Sequence, residues 1–167
     1  MAYLQLGCGI LLAVVFGWSV VGKLRSRTVF RGFADSLAPL VRRTTPVAVL
    51  LTGAEALVPA LLPVVPVLGF GLAAVVLAVL TAGVLTAVRR RLTIRCRCFG
   101  GTGTRLGVRH VVRNLLLFVV SGLGLAVTAT AGPTPSTGGA GMFLSAGVAV
   151  VLATVVIHLD DLVELWA

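Results

Sequence analysis

The chain has 167 residues, of which 58% are hydrophobic and only 11% are charged. Soluble globular domains carry about 25% charged residues, and the mean hydropathy of this chain is +1.10, so the composition excludes an ordinary soluble domain. The formal charge of +9 does not indicate a nucleic-acid partner, because all 14 basic residues lie in two short stretches beside long apolar segments. That placement is typical of a protein that spans the lipid bilayer.

Five apolar segments approach the length of about 20 residues that a helix needs to cross a bilayer. They cover residues 3–22, 46–65, 67–88, 111–131 and 142–158. The second contains prolines that interrupt or end a helix, and the fifth is close to the lower length limit. We therefore expect an all-α, polytopic transmembrane bundle of four or five spans, built as a single integral membrane domain over residues 1–167.

The basic residues also predict the orientation of the chain. Lys23 and five arginines flank the connection between spans one and two, and eight arginines flank the connection between spans three and four. With five spans these connections lie on the same side, which the positive-inside rule assigns to the cytoplasm. No basic residue precedes Lys23, so we expect a retained first span with its N-terminus outside, in a multi-pass protein of the cell membrane. We also expect Lys23, at the end of that span, to extend its ammonium group toward water.

Two features of the first half of the chain suggest local roles. Phe30, Phe33 and Leu37 alternate with polar residues and predict a short amphipathic helix on the membrane surface, for packing rather than binding. Glu55 lies near the middle of the second span, where a carboxylate costs about 2.5–3.5 kcal/mol on insertion scales. It should therefore face the bundle interior, either protonated or paired with polar groups. Two interpretations stay open: a proton or ligand site, including a membrane quinone, or a structural glutamate bonded to a neighbouring helix.

The connection over residues 89–110 carries the reactive groups, in the sequence C-x-C-F-G at residues 96–100. Thiol–disulfide exchange needs a thiolate, an accessible sulfur and a second thiol that resolves the mixed disulfide. Arginines beside Cys96 and Cys98 would lower the pKa of these thiols. A disulfide across one intervening residue is strained, which makes it readily reduced and suits exchange. The sequence therefore predicts Cys96 and Cys98 as a catalytic redox pair.

Other interpretations of the cysteines compete with this one. Cys96, Cys98 and His110 could ligate a metal, but structural zinc normally needs a fourth protein ligand, so no metal is predicted. The pair could also be inert, although inert cysteines are usually buried among apolar side chains. Cys8 lies inside the first span and is predicted to act as a small buried hydrophobe.

Several of these positions together resemble the MauE family of methylamine-utilisation membrane proteins, which is related to DoxX-like redox-associated membrane proteins. The resemblance rests on the C-x-C-F-G motif and on nine residues distributed from the first to the fourth span. Those residues are Ser19, Gly22, Lys23, Leu24, Phe30, Phe33, Glu55, Arg113 and Asn114.

The resemblance implies a membrane protein that helps form disulfides in the β (small) subunit of methylamine dehydrogenase, together with a thioredoxin-like protein. It implies that Cys96 and Cys98 are the redox pair, with a polar role for Glu55. That client enzyme lies outside the cytoplasmic membrane, whereas the charge distribution places the C-x-C loop inside. A thiol–disulfide oxidoreductase is the leading hypothesis. The alternatives are a non-enzymatic membrane scaffold or assembly factor and, less favoured because broken helices and repeats are lacking, a small-molecule transporter.

Overall fold

The computed structural model describes residues 2–90, 108–131 and 139–158. These residues form six α-helices: α1 (Ala2–Leu24), α2 (Arg27–Ser36), α3 (Thr44–Val64), α4 (Pro66–Arg89), α5 (Val108–Ala131) and α6 (Gly139–Ile157). All except α2 are long and apolar enough to cross a membrane. The predicted all-α transmembrane bundle is therefore confirmed, with five membrane-spanning helices.

Proline and a close backbone contact define the corner between α3 and α4. Pro59 and Pro63 are accommodated within α3, which ends at Val64. Pro66 occupies the first turn of α4, where the backbone N–H that proline lacks would have no partner within the helix. A Cβ atom on Gly69 would lie 2.8 Å from the backbone of Leu62. The close approach of the two helices at this corner therefore requires glycine.

Four helices form a ring around a shared apolar core. α1 packs against α3, α3 against α4, α4 against α5, and α5 returns to α1. The largest fully buried apolar side chains of this core come from α1, α3 and α4, and are Leu12, Val58, Phe70 and Leu77. α6 lies outside the ring and packs on α1. Small residues permit that close contact, since the Cβ of an alanine at Gly141 would overlap the ring of Tyr3.

The amphipathic helix predicted after the first span is α2. Ser26 caps its N-terminus by accepting a hydrogen bond from the backbone N–H of Val29 at 3.2 Å. Phe33 and Ala34 are buried against Ala48 of α3. The aromatic face of α2 therefore covers protein, as the packing interpretation expected.

Both basic connections lie at one end of the bundle. Leu40, which follows α2, lies beside Gly83 near the end of α4. Lys23, at the end of α1, shares a cavity with Arg113, near the start of α5. The predicted redox loop over residues 89–110 overlaps the ends of α4 and α5. Cys96 and Cys98 lie outside the described residues.

Candidate functional site

Six buried polar side chains meet at the end of the bundle that carries the basic connections. We call them the polar cluster. They come from three helices: Ser19 and Lys23 of α1, Glu55 of α3, and His110, Arg113 and Asn114 of α5.

An ion pair between Lys23 and Glu55 forms the centre of the polar cluster. The Nζ atom of Lys23 donates hydrogen bonds to both carboxylate oxygens of Glu55, at 2.5 Å to Oε1. Each of the two residues is only 1% exposed. The hydroxyl of Ser19 donates to Oε2 of Glu55 at 3.3 Å. The prediction that Glu55 faces the interior and pairs with polar groups is therefore confirmed.

The position of the Lys23 ammonium group differs from the prediction. We expected it to extend toward water, and that expectation is wrong, because the group lies inside the bundle on Glu55. Helix geometry explains the reversal: side chains tilt toward the N-terminus of their own helix, so a lysine at the end of α1 can point back into the bundle. Ser19 lies one turn earlier on the same face.

Helix α2 covers the ion pair with an aromatic ring. The Nζ atom of Lys23 lies 4.6 Å from the centroid of the Phe33 ring, within range of a cation–π interaction. The amphipathic helix therefore also shields the charged pair.

Helix α5 completes the polar cluster with one face of its first turns. His110, Arg113 and Asn114 follow the i, i+3, i+4 spacing that places side chains together on a helix, and all three are buried. They border a cavity of about 50 Å³ together with Ser19, Lys23 and Glu55. The positive charge of Arg113 acts on Lys23 through space. The remaining walls are apolar, with Leu77 and Leu80 of α4 among them.

Cavity size limits what can bind beside Glu55. A cavity of about 150 Å³ holds benzene, and a quinone ring is no smaller than benzene. A space of about 50 Å³ therefore suits water or a small ion, and it does not admit a quinone ring without rearrangement. The geometry therefore argues against a quinone site at Glu55 and agrees with a glutamate bonded to a neighbouring helix.

Comparison with known proteins identifies the family. The family model described as Methylamine utilisation protein MauE matches residues 1–127. The chain belongs to this family. No curated protein and no solved structure matches the chain. It is a multi-pass membrane protein of the methylamine-utilisation family, and the match covers the whole polar cluster but not α6.

The structure describes some of the predicted site residues and not others. Cys96 and Cys98 of this MauE-family protein lie outside the described residues, so of the three possible metal ligands Cys96, Cys98 and His110 the structure describes His110 alone. Within the described part of the chain no group of three potential metal ligands occurs. Cys8 is a free, buried cysteine in the core, as predicted. It lies fifteen residues before Lys23, about 22 Å along α1, and therefore far from the polar cluster.

Sequence reasoning missed the convergence of these residues. The sequence presents Lys23 as part of the topology signal, Glu55 as a buried carboxylate and Arg113 as one residue of the family resemblance, with nothing that joins them. The sequence did contain a signal that these charged residues lie together, because an ionisable side chain within a membrane usually pairs with another. Except for His110, the residues of the polar cluster are among those on which the family resemblance rested.

Proposed function

We propose that this MauE-family protein is a membrane thiol–disulfide oxidoreductase that uses Cys96 and Cys98. Its partner is a thioredoxin-like protein, and its client is a cysteine-containing enzyme such as the β (small) subunit of methylamine dehydrogenase. Membership of the MauE family and the C-x-C-F-G motif support this function. The predicted orientation puts the redox pair on the cytoplasmic side of the cell membrane.

The observation that carries this proposal is the position of the polar cluster. Its α5 members lie within the first two turns after the segment that contains Cys96 and Cys98. The arginines of the two basic connections give this end of the bundle positive charge, and positive charge stabilises a thiolate. A thiolate is the attacking species in thiol–disulfide exchange.

The first step of the proposed reaction needs no bound cofactor. A client dithiol reduces the Cys96–Cys98 disulfide through a mixed disulfide. Two electrons and two protons move to the cysteine pair, and the client gains a disulfide. A membrane quinone is the proposed acceptor that reoxidises the pair and becomes a quinol. Because the cavity at Glu55 is too small for a quinone ring, Glu55 takes the proton-handling role in this proposal.

The test compares three serine variants in cells that contain the thioredoxin-like partner. We expect Cys96→Ser or Cys98→Ser to abolish exchange or to trap a mixed disulfide, because one thiol attacks and the other resolves. Cys8→Ser is the matched control, since Cys8 is buried in the core and should not affect exchange. The redox state of the partner is measured by the mass added on thiol alkylation.

An unchanged redox state in both Cys96→Ser and Cys98→Ser would contradict the redox function. If the double serine variant also rescues a deletion strain, a scaffold or assembly role is correct. In that case, disruption of the basic surface over residues 25–43 should abolish rescue instead.

A further inference from the structure

The exposed side of α2 carries a basic cleft at its junction with the end of α1. Arg27 and Arg31 line this cleft together with Ser26, Leu24 and Phe30, and its volume is about 300 Å³. Arg27 and Arg31 are both exposed, and because they are four residues apart on α2 their guanidinium groups lie on one side of the helix. We infer that the cleft binds an anionic phospholipid of the membrane, with its phosphate on these two arginines.

The charge around the cleft favours an anion. Residues 25–43 contain five arginines and a single carboxylate, that of Asp35. Within the described part of the chain neither Arg27 nor Arg31 forms an ion pair. Two like charges four residues apart destabilise a helix, and a phosphate between them relieves that repulsion. The guanidinium group binds phosphate oxygens through paired N–H donors, and basic clusters beside a membrane-spanning helix are typical of anionic-lipid binding.

The apolar wall of the cleft favours a lipid over a soluble phosphate. Leu24 is 60% exposed, and Val21, which precedes it by three residues on α1, is 63% exposed. They provide apolar surface for an acyl chain that extends from the cleft along α1 into the membrane. The Phe30 ring lies 6.4 Å from the ring of Phe33, which covers Lys23. A lipid in the cleft would therefore also hold α2 over the ion pair. This inference is independent of the thiol–disulfide function.

Phosphatidylglycerol is the probe, and phosphatidylcholine, which carries a phosphate but no net charge, is the comparison. The purified full-length protein is kept in neutral detergent micelles at physiological ionic strength, and native mass spectrometry measures how much of each lipid stays bound. Each basic residue near an anionic lipid contributes about fivefold in affinity. We therefore expect a single molecule of phosphatidylglycerol to bind about tenfold or more tightly than phosphatidylcholine.

Two pairs of arginines give a matched comparison. Arg27→Gln combined with Arg31→Gln should weaken phosphatidylglycerol binding roughly tenfold to thirtyfold, because both phosphate ligands are lost. Arg42→Gln combined with Arg43→Gln removes the same charge from exposed positions of the same connection. These two residues do not line the cleft, so that change should weaken binding by no more than about threefold, since salt screens exposed charges that make no contact.

A variant of the apolar wall tests the acyl chain separately from the phosphate. Leu24→Gln puts an amide where the chain would lie, so it should weaken the binding of both lipids about fivefold and preserve the preference for phosphatidylglycerol. If the variant without Arg27 and Arg31 does not fold, Leu24→Gln and the wild-type lipid preference decide the question.

Four results would overturn the lipid site. They are equal binding of the two lipids by the wild type, an equal loss in the two arginine pairs, unchanged lipid binding in Leu24→Gln, and displacement of phosphatidylglycerol by an equal concentration of glycerol 1-phosphate. The last result would mean that a soluble phosphate occupies the cleft. An acidic surface of a protein partner is the other occupant that these arginines fit. If the variant without Arg27 and Arg31 keeps its lipid preference but loses exchange with the thioredoxin-like partner, the cleft is a protein-docking surface and the lipid site is wrong.

Discussion

At the scale of single residues, the main electrostatic feature of the described residues is the buried ion pair between Lys23 and Glu55. Taking either charge out of water alone costs several kcal/mol. The pair offsets that cost through two hydrogen bonds, with a further one from Ser19. The Phe33 ring adds a cation–π contact to Lys23. Each charged group therefore depends on the other for its burial.

Removing one member of this pair should be much worse than removing both. Lys23→Met leaves a buried carboxylate without its cation and should reduce the free energy of unfolding by about 3–5 kcal/mol. Lys23→Met combined with Glu55→Met should recover most of that loss, because no charge then remains buried at these positions. Unfolding in increasing SDS, starting from detergent micelles, measures both changes.

Arg25→Met is the control for loss of a positive charge near the same helix end. Arg25 is exposed, so its replacement should change stability by no more than about 0.5 kcal/mol. Equal stability of Lys23→Met and the wild type would contradict the ion pair. A double methionine variant that folds but no longer supports thiol exchange would separate the functional contribution of the pair from its contribution to stability.

The sequence predicted part of this site. A carboxylate near mid-span must face the interior and find polar partners, and Glu55 does both. The sequence did not identify the partner, because a lysine at the end of a span can extend to water or point back into the bundle. The choice depends on the position of α3 beside α1, which is a tertiary property that local patterns do not encode.

At the scale of helices, the contact between α4 and α5 leaves little room for a larger side chain. The Phe70 ring lies over Gly124, where an added Cβ would come within 2.3 Å of the ring. The Ser121 hydroxyl donates a hydrogen bond to the Phe70 carbonyl at 2.8 Å. Phe70 is almost fully buried, so its ring has little space in which to move. The two helices are therefore held in one register.

Two glycines of α5 give a matched test of this contact. Gly124→Ala should cost about 1–3 kcal/mol of stability, because it overpacks the interface with Phe70. Gly122→Ala, two residues earlier, meets nothing within 4 Å and should be neutral or stabilising by up to about 1 kcal/mol. SDS unfolding compares the two variants in the same helix.

A compensating substitution checks the cause of the Gly124→Ala effect. Phe70→Leu shortens the opposing side chain, so the double variant should be more stable than the sum of the two single changes predicts. Strict additivity, or equal stability of Gly124→Ala and Gly122→Ala, would contradict the described packing.

The sequence predicted where the helices begin and end more directly than it predicted which helices contact each other. Each long helix overlaps a predicted span, because about 20 apolar residues in a row leave few alternatives to a membrane helix. The order of packing around the ring did not follow from the apolar pattern. In α6, for example, apolar residues surround the helix, so hydrophobicity alone does not distinguish the face on α1 from the face toward lipid.

At the scale of the whole molecule, the bundle has two chemically different ends. The end with both basic connections carries the polar cluster. The opposite end holds a mainly apolar groove between α1, α3 and α4, with Gln5 as its one polar side chain within the described residues. The family match ends at residue 127, so it covers the four-helix ring and leaves out α6. The polar cluster and both basic connections therefore lie within the part of the chain that the family match covers.

Orientation in the membrane is the last prediction at this scale, and it depends on that charge asymmetry. All 14 lysine and arginine residues lie in or beside the two connections at the polar-cluster end. Cytoplasmic loops carry the excess of basic residues in membrane proteins. A membrane-impermeant maleimide applied to intact cells should therefore leave reduced Cys96 and Cys98 unlabelled, and it should label them once the membrane is opened.

Ser136→Cys provides the control for reagent access, in a variant whose Cys96 and Cys98 are serine. Residue 136 lies in the sequence between α5 and α6, and the predicted orientation puts that connection outside, so its thiol should react in intact cells. Cys8 should stay unlabelled in both conditions because it is buried in the core. Labelling of Cys96 or Cys98 in intact cells would place the redox pair outside, on the same side as the client that the family resemblance implies. The arginines at that end would then have to form a functional patch rather than act as a topology signal.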